Sequence, residues 1–190
     1  MTAMASLSGD RSPPGGLGIW LFIFNDLVLF GLYFWAFMHD RSLEPEAFAQ
    51  GRSALHGAFG LANTLVLLTS SCCVAIAVQQ APLNRRRASA WLQAGVLVGA
   101  IFLGLKAIEY NLLIDAGHSL LENRFFTWYF MLTGYHALHV LFGLLALSIL
   151  ALFVHQERLP ANSPLVPGIA NYWHMVDLIW LGLFSLLYLI

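Results

Sequence analysis

The chain has 190 residues, of which 59% are hydrophobic and only 10% are charged. Soluble globular domains carry about 25% charged residues, so this composition is typical of a protein embedded in a lipid bilayer. The net charge is −1, which excludes the strongly basic surface expected of a nucleic-acid-binding protein.

The first 16 residues are small and polar and rich in proline and glycine, which predicts a flexible N-terminal tail over 1–16. This stretch lacks a basic segment followed by a short apolar core and a small-residue cleavage site. We therefore expect no removable signal peptide. Residues 17–190 are predicted to form a single membrane domain.

Five apolar segments follow the tail, and each is long enough to cross a membrane. A helix needs about 20 residues to span roughly 30 Å of hydrocarbon. The connections between the segments are short and polar, so the sequence predicts an all-α bundle of five transmembrane helices. No long internal repeat supports an inverted-repeat transporter. The predicted spans are 17–38, 55–78, 91–113, 125–154 and 169–190.

Arginines are distributed unequally between the two sides of this predicted bundle. The tail and the second and fourth connections share one side and carry more basic residues than the other side, which has Arg41, Arg52 and Arg124. The positive-inside rule then places the N-terminus in the cytoplasm and the C-terminus outside. The triplet Arg85, Arg86 and Arg87 supplies most of this bias and is also a candidate contact for anionic lipid.

Ionisable side chains within the predicted spans are the strongest functional signal. Each costs several kcal/mol in hydrocarbon unless it has a partner or a role. Apart from Asp26 they occur in pairs three residues apart, which places each pair on one helix face. A bundle could bury them together as a polar network or a proton relay. The residues are Asp26, Lys106, Glu109, His136, His139, His174 and Asp177.

Several of these groups are open to more than one interpretation. Lys106 and Glu109 are most simply a neutralised ion pair, whereas Glu109 and Asp26 could instead carry protons. The three histidines could ligate haem or copper, but His136 and His139 on one helix cannot bind opposite faces of one haem. We therefore predict no catalytic residue, bound cofactor or metal in this chain.

Small and polar residues also form seams suited to helix packing. Gly95 and Gly99 make a small-xxx-small contact, which lets two helices approach closely. Asn63, Ser70 and Ser71 lie on a polar seam of the second span that can hydrogen-bond to another helix.

Each of the five predicted spans also carries a distinct motif. The motifs are 18–26, 63–71, 106–110, 133–140 and 172–180. The third reads Lys106-Ala-Ile-Glu109-Tyr110, and the fifth holds His174 and Asp177. Together the five motifs resemble the cytochrome c oxidase subunit III family of the haem–copper oxidase superfamily and occur in the family's order along the chain. The third is similar to the family's Q-x-x-E-Y and the fifth to its Y-W-H-F-V-D-x-x-W.

Departures from the family pattern indicate a particular branch. Many relatives have seven spans, whereas five are predicted here. Asp26 stands where cytochrome oxidases usually have Glu, Asn25 where they often have Ser, and Lys106 where they usually have Gln. These features favour the short five-helix branch, and within it the NorE-like proteins associated with nitric oxide reductase.

The resemblance implies a supporting function rather than catalysis. Subunit III of this superfamily binds no redox centre; it packs beside the catalytic subunit, binds lipid, and supports assembly and sustained turnover. The family's buried carboxylate, here Asp26, is thought to help proton supply. We therefore expect a non-catalytic subunit in a bacterial inner membrane, with structural phospholipid and with haem and metal only in the catalytic haem–copper partner.

Two further functions remain as alternatives at this point. The first is subunit III of a quinol or cytochrome c terminal oxidase rather than a nitric oxide reductase partner. The second belongs to another class: a haem b electron carrier or a small proton-conducting membrane protein.

Overall fold

The computed structural model describes residue 13, residues 15–160 and residues 163–190. Most of the predicted tail over 1–16 therefore lies outside the described residues. Five helices of the described chain are long and apolar enough to cross a membrane, and the described residues include no β-strand. The predicted all-α bundle of five transmembrane helices is confirmed.

The spanning helices differ from the predicted spans mainly at their ends. The first, third and fourth are longer than predicted and extend into polar sequence, because a helix of 28 or more residues projects beyond about 30 Å of hydrocarbon. The second has the predicted 24 residues but lies two positions later in the chain. The helices are α1 (Gly16–Leu43), α2 (Pro45–Ser53), α3 (Gly57–Gln80), α4 (Arg85–Asp115), α5 (Arg124–His155) and α6 (Leu165–Phe184), and α6 continues as a π-helical turn over Ser185–Leu189.

Asparagine side chains define where α4 and α5 begin. Asn84 precedes α4, and its side-chain oxygen accepts a hydrogen bond from the Arg87 backbone N–H at 3.0 Å. Asn123 precedes α5 and accepts from the Phe126 N–H at 3.0 Å in the same way. These N-caps satisfy backbone donors that the first helical turn leaves free, so each helix starts in the polar connection before its apolar core.

The short helix α2 was not expected, because its polar composition indicates only a connection. Pro45 occupies its first turn, where the missing N–H carries no penalty. Phe48 points into the bundle and packs edge-on against Phe37 of α1 and Phe125 of α5, with ring centroids 5.2 and 5.8 Å away. This aromatic contact fixes α2 across one end of the bundle.

Helices α3 to α6 form a closed ring, in which α3 contacts α4, α4 contacts α5, α5 contacts α6, and α6 contacts α3. The α3–α4 contact is close because Gly95 lacks a side chain: a Cβ there would lie 3.0 Å from Val74 Cγ2. The Ser70 hydroxyl uses this proximity to donate to the Gly95 carbonyl at 2.7 Å. Two residues of the predicted packing seams thus meet at one point.

Helix α1 lies outside this ring and packs against α6 and α5. Polar contacts fix its far end: Trp128 Nε1 donates to Asp40 Oδ2 at 2.9 Å, and Arg124 Nε lies 3.4 Å from Glu44 Oε1. Of all the spans, α1 has the smallest share of its apolar stretch buried inside the chain. One broad face of α1 is therefore left uncovered by the other described residues.

Candidate functional site

The most complete polar group in the bundle surrounds Lys106 of α4. Its ammonium donates to Glu109 Oε2 at 2.9 Å, to the Tyr129 hydroxyl at 3.0 Å and to the Tyr188 hydroxyl at 3.1 Å. The Tyr188 hydroxyl in turn donates to Glu109 Oε1 at 2.7 Å. We call Lys106, Glu109, Tyr129 and Tyr188 the lysine cluster.

The charged atoms of the lysine cluster, the Lys106 nitrogen and both Glu109 oxygens, all have hydrogen-bond partners. An ammonium has three N–H donors, and each one of Lys106 has an acceptor. Both oxygens of Glu109 accept a hydrogen bond. The Lys106 nitrogen also lies 5.2 Å from the Trp180 ring centroid and 4.7 Å from that of Tyr129, within the range of cation–π attraction. A fully paired ammonium of this kind indicates a structural contact between helices rather than a reactive lysine.

Sequence spacing indicated the Lys106–Glu109 pair but not its two tyrosines. Tyr129 belongs to α5, and Tyr188 lies in the π-helical turn that follows α6. π-Helical turns insert one extra residue per turn and change the direction of the side chains that follow. The lysine cluster therefore joins three helices, and only their packing brings its members together.

A second buried group pairs Asp26 of α1 with His139 of α5. His139 Nε2 lies 3.4 Å from Asp26 Oδ2, and both side chains are almost fully buried. The distance is that of an ion pair, but the contact does not meet hydrogen-bond geometry. The rings of Phe30 and Tyr135 both pack edge-on against the imidazole and shield it.

The tautomer of His139 follows from its other nitrogen. Nδ1 lies 2.9 Å from the Tyr135 carbonyl, which can only accept, so Nδ1 carries a proton. Nε2 is then the nitrogen that faces the Asp26 carboxyl. The proton role expected of Asp26 stays a prediction.

His174 and Asp177 do not form the direct pair that their spacing allows. Instead His174 Nδ1 hydrogen-bonds to the Ser71 hydroxyl of α3 at 2.5 Å. The Ser71 hydroxyl also lies beside the Asp177 carboxylate, although neither Asp177 oxygen has a partner at hydrogen-bond geometry. Ser71, which was predicted to hydrogen-bond to another helix, thus joins α3 to His174 of α6.

His136 and Asn63 are completely buried, and none of their side-chain nitrogen and oxygen atoms has a hydrogen-bond partner among the described residues. The His136 ring lies between Phe102 and Trp180, at centroid distances of 5.5 and 5.4 Å. Trp180 itself donates to Thr64 Oγ1 at 3.0 Å.

The ionisable residues therefore do not form the single network that burial together would allow. No hydrogen bond between described residues links the lysine cluster, the Asp26–His139 pair and the Ser71–His174 contact to one another. No three His, Cys, Asp or Glu side chains of the described residues converge as a metal site would require. The absence of a bound cofactor remains a prediction.

Gly99, the second glycine of the predicted seam, lies where three helices meet the middle of α4. A Cβ at this position would lie 2.9 Å from the Trp173 ring, 3.0 Å from Leu144 and 3.1 Å from the Ser70 hydroxyl. The glycine thereby makes room for Trp173, a fully buried side chain of α6.

Two surface features are relevant to lipid. An apolar groove of about 310 Å³ runs between α1, α5 and α6 and is lined in part by Phe22, Phe142 and Tyr172. At one end of the bundle Arg86 and Arg87 are exposed in the first turn of α4. Cations are unfavourable at a helix N-terminus, so the stability of α4 does not explain the position of these arginines. Membrane topology or contact with anionic lipid would explain it.

Comparison with known proteins identifies the family. The family model for cytochrome c oxidase subunit III matches residues 15–190. The chain is 31% identical over 177 residues to cytochrome bo(3) ubiquinol oxidase subunit 3 of Pseudomonas aeruginosa, covering 90% of this chain and 83% of the relative. It is 30% identical over 181 residues to cytochrome c oxidase subunit 3 of Corynebacterium diphtheriae, covering 92% of this chain and 87% of the relative.

A similar relationship holds with cytochrome c oxidase subunit 3 of Bacillus sp. strain PS3, at 29% identity over 91% of this chain and 84% of the relative. The match includes all five spanning helices and every member of the lysine cluster and of the Asp26–His139 pair. The chain therefore belongs to the cytochrome c oxidase subunit III family.

Proposed function

We propose that the chain is a non-catalytic accessory subunit that packs beside the catalytic subunit of a haem–copper complex and supports its assembly and sustained turnover. The observation that carries this proposal is the match of residues 15–190 to the subunit III family, which includes the whole membrane bundle. The saturated lysine cluster agrees with it, because its polar atoms are used to hold helices together.

Nitric oxide reductase is the partner that the chain's own motif variants favour. Asp26 and Lys106 replace the residues usual in cytochrome oxidases, and the chain has five spanning helices where many relatives have seven. The Lys106 substitution is well accommodated, since all three of its donors have acceptors. The partner would then belong to a denitrifying respiratory chain.

A terminal oxidase is the second candidate partner. The relatives from Pseudomonas aeruginosa and Corynebacterium diphtheriae are named as subunits of a ubiquinol oxidase and a cytochrome c oxidase. Their similarity to this chain extends over nine-tenths of its length, which favours a partner of the same kind.

Co-purification from native membranes distinguishes these partners. An affinity-tagged copy of the chain should bring down a haem–copper catalytic subunit, whose identity is read by mass spectrometry and whose activity is assayed with oxygen and with nitric oxide. Recovery of a nitric oxide reductase or of an oxidase decides between the two partners. Recovery of the chain alone, under detergent conditions that keep other respiratory complexes intact, would contradict the proposal.

The isolated chain tests the alternative of another class. A haem b carrier would show a Soret band in the visible spectrum, and that band would disappear on substitution of His136, His139 or His174. A proton conductor would dissipate a pH gradient across liposomes that contain only this chain. We expect neither signal. The Nε2 atom of His139 faces Asp26, and the His136 ring is enclosed between Phe102 and Trp180. No hydrogen bond of the described residues joins the buried polar groups into one path for protons.

We also propose that the chain resides in a bacterial inner membrane with its N-terminus in the cytoplasm. The arginines in the first turn of α4 support this orientation. An alkaline phosphatase fusion after Ile190 should then be active, and a fusion within the connection near Asn84 inactive. The reverse pattern would overturn the orientation.

Structural phospholipid completes the proposal. The groove along Phe22 and Phe142 suits an acyl chain, and the exposed Arg86 and Arg87 suit an anionic headgroup. Lipid analysis of the purified chain should detect retained phospholipid. Replacing Arg85, Arg86 and Arg87 with Gln should lower the retained anionic fraction, whereas the same change at Arg124, which is engaged by Glu44, should not.

A further inference from the structure

Helix α1 presents two stripes of residues, each with alternating spacings of three and four. The inner stripe faces the bundle: four of its members are buried and Tyr33 is half-buried. From Asn25 onward, each residue of the outer stripe comes two positions after a residue of the inner stripe. Two positions correspond to a rotation of about 200° around the helix axis, so the outer stripe faces away from the bundle. The inner stripe is Ile23, Asp26, Phe30, Tyr33 and Phe37; the outer stripe is Gly18, Leu21, Asn25, Val28, Leu32, Trp35 and His39.

Every member of the outer stripe is exposed, and its large members Leu21, Leu32 and Trp35 are 60%, 58% and 69% exposed. An apolar surface of this kind would by itself be an ordinary lipid-facing side of a membrane helix. The spacing of three and four residues is nevertheless the one that interlocks two helices by knobs-into-holes packing.

Asn25 makes this face different from a lipid-facing surface. The residue lies about 4 Å from the middle of the predicted span 17–38, given a rise of 1.5 Å per residue. Its amide has two N–H donors and one carbonyl acceptor, and no described residue hydrogen-bonds to any of them. Acyl chains cannot supply those bonds, and lipid headgroups lie roughly 15 Å away at the membrane surface.

Two other polar groups within the spans, the hydroxyls of Thr69 and Ser148, do not have this problem. Thr69 is exposed on α3, but its hydroxyl donates to the Leu65 carbonyl of its own helix at 2.7 Å. Ser148 of α5 bonds to the Leu144 carbonyl at 2.7 Å in the same way. The asparagine amide is left to find a partner outside the chain, and polar side chains at such positions join membrane helices to one another.

We infer that the outer stripe of α1 is a docking surface for a transmembrane helix of the catalytic partner subunit, with the Asn25 amide hydrogen-bonding to a polar group of that helix at the bilayer midplane. The identity of this partner depends on the accessory-subunit function proposed above. A single asparagine within a stripe of this spacing also sets the axial register of two helices, so Asn25 would align the two subunits along the membrane normal.

Site-specific photo-crosslinking in the complex tests the docking surface. A benzoyl-phenylalanine is placed at Leu21 or Leu32 on the outer stripe, or at Leu65 of α3 or Leu97 of α4 as matched exposed controls. We expect adducts with the catalytic subunit from Leu21 and Leu32 and not from the controls. Adducts with the catalytic subunit from the control positions only, adducts with a second copy of this chain, or adducts with lipid alone would each overturn the inference.

The contribution of the amide is tested with Asn25→Leu. Retention of the partner in detergent should fall roughly threefold to tenfold, while the thermal unfolding of the isolated chain stays unchanged because the side chain points outward. Thr69→Val, which removes an internally bonded hydroxyl, should leave retention unchanged. Unchanged retention in Asn25→Leu would overturn the inference while the accessory function stands; failure of the wild-type chain to retain any haem–copper subunit would overturn both.

Discussion

The Tyr188 hydroxyl lies 3.1 Å from the Lys106 ammonium and 2.7 Å from the Glu109 carboxylate, and so connects both halves of a buried ion pair. Lys106 and Glu109 are three residues apart on α4, whereas Tyr188 comes from a π-helical turn near residue 190. The charge pair therefore serves as an attachment point for the last turn of the bundle.

Removing the cation should have the largest effect on stability. Lys106→Met leaves Glu109 buried without its counter-ion, which should destabilise the chain by about 3–5 kcal/mol. The double variant Lys106→Met with Glu109→Leu should recover much of this loss, because it removes the unpaired charge. Thermal unfolding in detergent micelles measures both. A double variant no more stable than Lys106→Met would contradict the ion-pair interpretation.

Tyr188→Phe isolates the attachment at the π-helical turn. It deletes one bond from Lys106 and one to Glu109, and leaving these charged groups short of a partner should cost about 1–3 kcal/mol. Tyr33→Phe is the matched control, since its hydroxyl makes no hydrogen bond among the described residues. Equal unfolding temperatures for the two variants would show that the Tyr188 bonds contribute nothing.

Helix approach at the middle of α4 is tested by Gly99→Ala. The added methyl would lie 2.9 Å from the Trp173 ring, whose rigid indole cannot move aside, so overpacking should destabilise the bundle by about 1–3 kcal/mol. A Cβ added at Gly104 of the same helix would have no neighbouring atom within 4 Å, so Gly104→Ala should be neutral or slightly stabilising. The comparison is read from thermal unfolding, and an equal loss in both variants would argue against close packing at Gly99.

The Asp26–His139 pair yields a prediction about turnover. Asp26→Asn keeps the size of the side chain but cannot hold a proton with His139. If the pair supports proton supply in the proposed complex, this variant should lower activity sustained over many turnovers while co-purification with the partner is unchanged. Asp177→Asn, a buried change of the same kind on α6, should not have this effect. Full sustained activity in Asp26→Asn would remove the proton role of Asp26.

The sequence alone was sufficient for the number of spanning helices, because spans depend on local composition and on the length needed to cross hydrocarbon. It also identified ionisable side chains that need a partner inside the membrane. Burying Asp26, Lys106 or Glu109 in hydrocarbon without a partner costs free energy wherever the helices lie. Five ordered motifs indicated the family, and the family model confirms it.

Tertiary packing decided which groups those residues contact. Periodicity places Lys106 and Glu109 on one face, but it cannot specify that Tyr129 and Tyr188 meet them, because both are brought there by other helices. Likewise, the i,i+3 spacing of His174 and Asp177 allows a direct pair, but His174 hydrogen-bonds to Ser71 of α3 instead. Adjacent residues Asn25 and Asp26 illustrate the division most clearly: sequence makes both polar, and only the position of α1 outside the ring buries one and leaves the other facing outward.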